Sequence, residues 1–280
     1  SERAYRLLAD APLAAVKAPP IATEAGMSCI GAFRMIALSC LYHLQGNEKS
    51  VGRGDLPEFV HQARVAIRRL RSAMRLWEPL LPEHFVARFD PLWQGLAGQL
   101  GDTRNWDVFL AETLPVLAEA FAGGGEVERL SAYALRRSAS SRRATGKALG
   151  TADYSRLLID FSAALLALPE ADGGPLGTFV PRCLKKSAKR VRDRAADAQG
   201  AGVAARHRLR VAFKQLRYAL EFFTPILDGP VLANYHHSAS CLQDLLGRLN
   251  DLAVAEQLVA QALPGSKGKQ LNGWLAAQTE

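Results

Sequence analysis

Between residues 60 and 82 the chain reads VHQARVAIRRLRSAMRLWEPLLP, a histidine and five arginines against one acid, Glu78. At about 100° per residue on a helix, His61, Arg64, Arg68, Arg71 and Arg75 fall within one narrow sector. The row spans roughly 21 Å at a rise of 1.5 Å per residue. Arginine keeps its charge at any working pH and presents a planar fork that fits phosphate oxygens in pairs. Fixed cations at this spacing suit the holding of an extended anion, not proton transfer. Ala63, Ile67, Leu70, Met74 and Trp77 fill the adjoining sector, so the predicted helix is amphipathic with a wide apolar stripe.

The pattern recurs. Residues 206 to 227, RHRLRVAFKQLRYALEFFTPIL, align with it without a gap at an offset of 146. His207, Arg210, Lys214 and Arg217 replay the basic row, and Leu209, Phe213, Leu216, Leu220 and Phe223 replay the seam, with Pro79 and Pro225 closing the two copies. In both copies the basic sector borders the apolar seam instead of opposing it. That placement and the duplication favour a functional face over a merely solvated one.

The rest of the chain supplies elements to position these two helices. Residues 1 to 26 show little periodicity and carry Pro12, Pro19 and Pro20; they read as an extended linker that begins as if cut from something longer. A helix is expected from Ser28 to Leu44, ended by Gly46, and Asp55 is the expected N-cap of the first basic helix, with Pro57 and Glu58 in its first turn. Residues 84 to 121 predict two helices broken within 100–110 or at Pro115. Glu126 to Leu149, Tyr154 to Leu168 and Phe179 to Ala198 predict three more, with the clearest central break at ADGGPLG. Residues 242 to 255 echo 93 to 106 at an offset of 149. No stretch alternates with period two. The expected fold is all-α: two helical bundles of about four helices related by a pseudo-twofold, residues 27–172 and 173–280, with the long basic helices lining a central groove.

Composition narrows the partners. The 280 residues carry 35 Lys and Arg against 27 Asp and Glu, a net charge of +8. The balance points to an anionic partner: nucleic acid, an anionic membrane surface or a phosphate polymer. Cys29, Cys40, Cys183 and Cys241 show no C-x-x-C spacing, which fits buried thiols in a reducing compartment better than disulfides or a zinc site. With no signal peptide and no apolar run long enough for a membrane span, the chain reads as cytosolic.

HQARVAIRRLRSAMRLW and HRLRVAFKQLRYALEFF resemble the two signature helices of the CHAD family, the histidine-containing α-helical domain, and LGDTRNWDV and LGRLNDLAV resemble its next pair of motifs. The match spans about residues 28 to 262. Asn105 departs from the family's usual Asp, and Glu221 stands where the first copy has Arg75. The resemblance implies non-catalytic binding of inorganic polyphosphate and association with polyphosphate granules. SERAYRLL and VKAPP resemble the tail and linker that join a CYTH triphosphatase domain to a CHAD domain. The catalytic CYTH part is not in the sequence, so no triphosphatase activity is expected of it. The expected contact set is His61, Arg64, Arg68, Arg71 and Arg75 with His207, Arg210, Lys214 and Arg217, ringed by Lys185, Lys189, Arg142 and Arg143.

Several residues admit a second reading. His61 and His207 either contact ligand or are structural histidines near a helix start. Asp102, Asp107 and Asp251 sit in G-D and N-D sequences that suit caps and salt bridges to Arg, and Arg104 either pairs with them or reaches the groove. Trp77, Tyr218 and Phe222 read as packing residues. Nucleic acid is the alternative anionic partner, disfavoured by the scarcity of aromatics beside the cations and the lack of a known binding module. No cofactor or metal is expected: neither His61 nor His207 has an H-x-x-x-H or carboxylate partner, and His236 and His237 diverge on a helix.

Overall fold

A computed structural model describes residues 14–52, 56–122, 124–170, 174–199, 202–227 and 229–278, with all their side chains but those of 203, 230–244, 266 and 267. The expectations for Asp55, for residues 1–13 and for the side chains of His236, His237 and Cys241 lie outside the described residues.

Among the described residues the regular elements are helices, so the fold is all-α. They are α1 (Cys29–Val51), α2 (Pro57–Trp77), α3 (Glu83–Val108), α4 (Leu114–Ala120), α5 (Gly125–Leu149), α6 (Ala152–Leu166), α7 (Leu176–Ala198), α8 (Val203–Phe223), α9 (Gly229–Ala262) and α10 (Ser266–Ala277). One isolated bridge joins Ser28 to Pro175.

The internal repeat is visible in the element boundaries. Shifted by 146, α2 becomes α8 residue for residue, the short 3-10 turn Glu78–Leu80 becomes Thr224–Ile226, and the first residue of α3 becomes the first of α9. The single offset of 146 therefore holds through the third element, where the sequence comparison gave 149. Proline at the first positions of both 3-10 turns ends each basic helix for the same reason: it cannot donate the next ladder hydrogen bond.

Several helix ends differ from expectation. Ser28 caps α1 by accepting from the Gly31 amide at 2.9 Å, but α1 runs through Gly46 to Val51. Gly46 is not a stop; it makes room for Val16, whose side chain lies 3.0 Å from where a Cβ would stand. The Asn47 side chain accepts from the Val16 amide (3.0 Å) and donates to its carbonyl (2.9 Å), so residues 14–26 are laid across α1. The buried Thr23 hydroxyl then donates to the Phe222 carbonyl at 2.8 Å. At α2 it is Leu56 that occupies the N-cap position, with Pro57 at the first turn. No loop breaks 100–110: α3 passes through LGDTRNWDV into a π turn, Phe109–Thr113, just before Pro115. Pro115 lacks the N–H that the preceding turn's carbonyl would accept, and the ladder resets through the wider turn.

The buried apolar residues form two clusters, and each draws on both sides of residue 172. The larger centres on Trp77, whose indole N–H donates to the Cys29 carbonyl at 2.8 Å. Its ring lies 5.9 Å from Phe33, 5.3 Å from Phe179 and 5.5 Å from Phe223. The packing reading of Trp77, Tyr218 and Phe222 holds, as all three are buried. The smaller cluster joins Trp106, Phe109, Leu117 and Leu130 to Ala255, Val259 and Leu275. Cys29, Cys40 and Cys183 are buried, and burial pushes the Cys40 thiol up to about 12.

The candidate polyanion site

Four helices frame one cavity of about 470 Å³: α2 and α8, each with its apolar seam turned into the core, and α3 and α9 across from them. Its cations come from both copies of the repeat. His61, Arg64 and Arg68 enter from α2, and Arg210, Lys214 and Arg217 from α8. Arg104 enters from α3 and Arg248 from α9. The lining also repeats at 146: Arg64 with Arg210, Arg68 with Lys214, Arg104 with Asn250, Asn105 with Asp251 and Val108 with Val254.

Among the described residues these cations outnumber the acids near them, Asp251 in the lining and Glu221 beside Arg217. Arg210 Nη1 donates to Asn250 Oδ1 at 2.9 Å, yet among the described residues the buried Nε atoms of Arg68, Arg210 and Arg217 have no hydrogen-bond partner. Burial, then the nearby Arg68 and Arg210, bring the Arg64 guanidinium down to about 10. The same causes, with Arg64 added, bring the Lys214 ammonium down to about 6, against the opposing pull of Asp251. Arg210 is lowered by burial and by Arg68, again with Asp251 opposing. His61 is lowered by burial first, then by Arg104, Arg68 and Arg64, with Glu58 opposing. The cavity is thus a cluster of like charges held together by the fold, the arrangement that a bound polyanion relieves.

Other expected site residues go elsewhere. Arg71 is clamped by Asp90, Nε to Oδ1 at 2.8 Å and Nη2 to Oδ2 at 3.0 Å, and also donates to Gln94. Its repeat equivalent, Arg217, faces the cavity. Arg75 is exposed. Arg142 is bonded to the buried Asp107 at 2.6 Å, Lys189 to Asp193 at 2.8 Å, and Lys185 and Arg143 are exposed. His207 is exposed and lines a separate hollow of about 230 Å³ with Arg206 and Arg210. Asp102, Asp107 and Asp251 lie within helices α3 and α9, not at breaks. Glu221 bonds the buried Arg69 at 2.7 Å and stands 3.8 Å from Arg217, which still reaches the cavity.

Arg104 is placed in the cavity, the second of its two expected positions. Arg248, Asn105 and Asn250 were not singled out as contacts. The sequence signal for them was present, since LGDTRNWDV and LGRLNDLAV follow the two basic helices in the same order. Only the packing of α3 and α9 over α2 and α8 shows that these segments share one wall.

The Lys214 shift predicts a pH effect on the ligand-free protein. Its folded-state value, about 6, lies below the ordinary lysine value of 10.5, so between those values the unfolded chain binds more protons than the folded one. Stability therefore rises with pH across this window, by at most ~1.4 kcal/mol per pH unit for one proton. Melting temperature measured from pH 6 to 9 is expected to climb, and Lys214→Met is expected to flatten the climb. An identical profile in the variant would rule Lys214 out as the cause.

Comparison with known proteins follows the same lines. The family model described as CHAD domain matches residues 35–260. The crystal structure of the CHAD domain from the plant Ricinus communis is similar at 34% identity and a TM-score of 0.85, covering 95% of this chain and 92% of that one. PptA from Streptomyces chartreusis is similar in fold, with 18% identity, a TM-score of 0.67 and coverage of 92% and 94%. Among curated proteins no similar sequence was found. No helix among the described residues is long and apolar enough to cross a membrane. Among the same residues no group of three or more His, Cys, Asp or Glu is placed to hold a metal ion.

Proposed function

We propose that this chain, which belongs to the CHAD domain family, binds inorganic polyphosphate in the cavity framed by α2, α3, α8 and α9. One observation carries the reading. Arg64, Arg68, Arg210, Lys214 and Arg217, brought from both copies of the repeat, face a single cavity without enough acid to neutralise them. A flexible chain with a charge on every unit matches that array unit by unit. The volume lies in the range of small-ligand sites, so it takes a slender chain and no nucleic-acid duplex. Binding is non-catalytic in this reading. It associates the protein with polyphosphate granules in the cytoplasm, and a CYTH triphosphatase domain in the same full-length protein is the proposed neighbour.

The test is competition of long-chain polyphosphate against single- and double-stranded nucleic acid at about physiological salt. Strong preference for polyphosphate is expected; equal or better binding of nucleic acid would overturn the reading. Affinity is also expected to fall by ~10³ or more between 50 and 200 mM salt, as for six or more phosphate contacts that release condensed counterions. A shallow dependence would mean that few of the cavity cations touch the ligand.

A further inference from the structure

Most acids beside the cavity cations are already committed: Asp90 to Arg71, Asp107 to Arg142, Glu221 to Arg69. Asp251 is different. It lines the cavity on α9, in the field of Arg210 and Lys214 of α8. Among the described residues no cation lies within ion-pair distance of it, and it accepts a hydrogen bond from the neighbouring Asn250 side chain at 3.2 Å. The repeat-equivalent position in the first copy is Asn105, which is neutral. A cavity built to hold anions therefore keeps one half-buried carboxylate inside it. A fully ionised oxyanion seated beside that carboxylate meets like charge with no proton between the two oxygens, which costs affinity. An oxyanion that carries an O–H donates it to the carboxylate instead, making a short charge-assisted bond.

We propose that Asp251 is a specificity-determining residue of the cavity: it accepts a hydrogen bond from a protonated phosphate oxygen and so favours phosphates that carry a proton over fully ionised oxyanions such as sulfate. This rests on the polyphosphate reading and deepens it. Inner units of the polymer hold no ionisable proton near neutrality, whereas a terminal phosphate has a second ionisation at about 6. The position beside Asp251 is thus a seat for a chain end, and the Arg64, Arg68, Arg210 and Lys214 array holds the units behind it.

Orthophosphate and sulfate at about pH 8 isolate this effect, because hydrogen phosphate and sulfate are both tetrahedral dianions and differ by the proton. Calorimetric titration of the wild-type protein with each is expected to favour phosphate by about tenfold or more, since phosphate makes a hydrogen bond where sulfate meets a repulsion. In Asp251→Asn the preference is expected to collapse to within about threefold, chiefly because sulfate binding improves. Asn105→Asp, which places a second carboxylate in the cavity from α3, is expected to weaken sulfate further and widen the ratio. Equal binding of the two anions by the wild-type protein, no binding of either, or a preference unchanged in Asp251→Asn would overturn the inference. Long-chain polyphosphate titrated into the same wild-type sample separates the two claims. If it binds while the anion ratio stays flat, only the role of Asp251 fails; if it does not bind, the polyphosphate reading fails with it.

Discussion

Replacing Arg64, Arg68, Arg210 and Lys214 together with Ala is expected to abolish the proposed polyphosphate binding and to leave the fold intact. Each of these side chains faces the cavity. At about 1.5 kcal/mol or more per charge-assisted contact, four losses amount to a factor of ~10⁴ in affinity. Stability is expected to move the other way. In the free protein burial, and then the neighbouring cations, lower Arg64 to about 10 and Lys214 to about 6, so removing them relieves desolvation and repulsion together. Alanine is also the best helix former in the two helices concerned. The measurement is polyphosphate titration beside circular dichroism and thermal melting. Wild-type affinity in the quadruple variant would sink the site. Arg71→Ala and Arg142→Ala serve as controls, because those charges are already taken up by Asp90 and Asp107, and each is expected to change affinity by less than about threefold.

Glu221→Ala is expected to give the opposite pairing of results: large destabilisation with binding kept. Arg69 is 1% exposed, and its Nε donates to Glu221 Oε1 at 2.7 Å, tying α2 to α8. Its guanidinium also lies 5.8 Å from the Phe222 ring centre. Removing the carboxylate strands that charge in the core, which costs about 3–5 kcal/mol. For a chain of this size that corresponds to a fall in melting temperature of roughly 6–15 °C. Glu221→Gln, which keeps an acceptor, is expected to fall between the two. Polyphosphate affinity should hold or rise, because Arg217 loses the carboxylate that stands 3.8 Å from it. A Glu221→Ala protein that melts like the wild type would show that Arg69 finds another partner. One that loses binding as well would show that this pair sets the cavity's shape.

The fold class and the repeat were legible in the sequence because both rest on local periodicity. Side chains three and four apart share a helix face whatever surrounds them, so the basic rows of α2 and α8, their seams and their closing prolines could be read without knowing what they pack against. Family motifs added the polyphosphate expectation on the same local ground. The neutralisation of individual cations was not legible, because an arginine's partner lies far along the chain. Arg71 and Arg64 look alike in sequence, and only the crossing of α2 by α3 gives Asp90 to one and the cavity to the other. Arg69 was outside the basic row and took no part in the sequence reading, yet tertiary packing buries it against Glu221, 152 positions away. Gly46 read as a helix stop for a related reason. Local propensity speaks against glycine in a helix, while the fold uses the space it leaves to dock Val16. The sequence by itself determined which residues carry charge and which helix faces hold them. Tertiary structure decided which charges remain unpaired, because burial and distance through space set the balance between desolvation and ion pairing, and neither is a property of spacing along the chain.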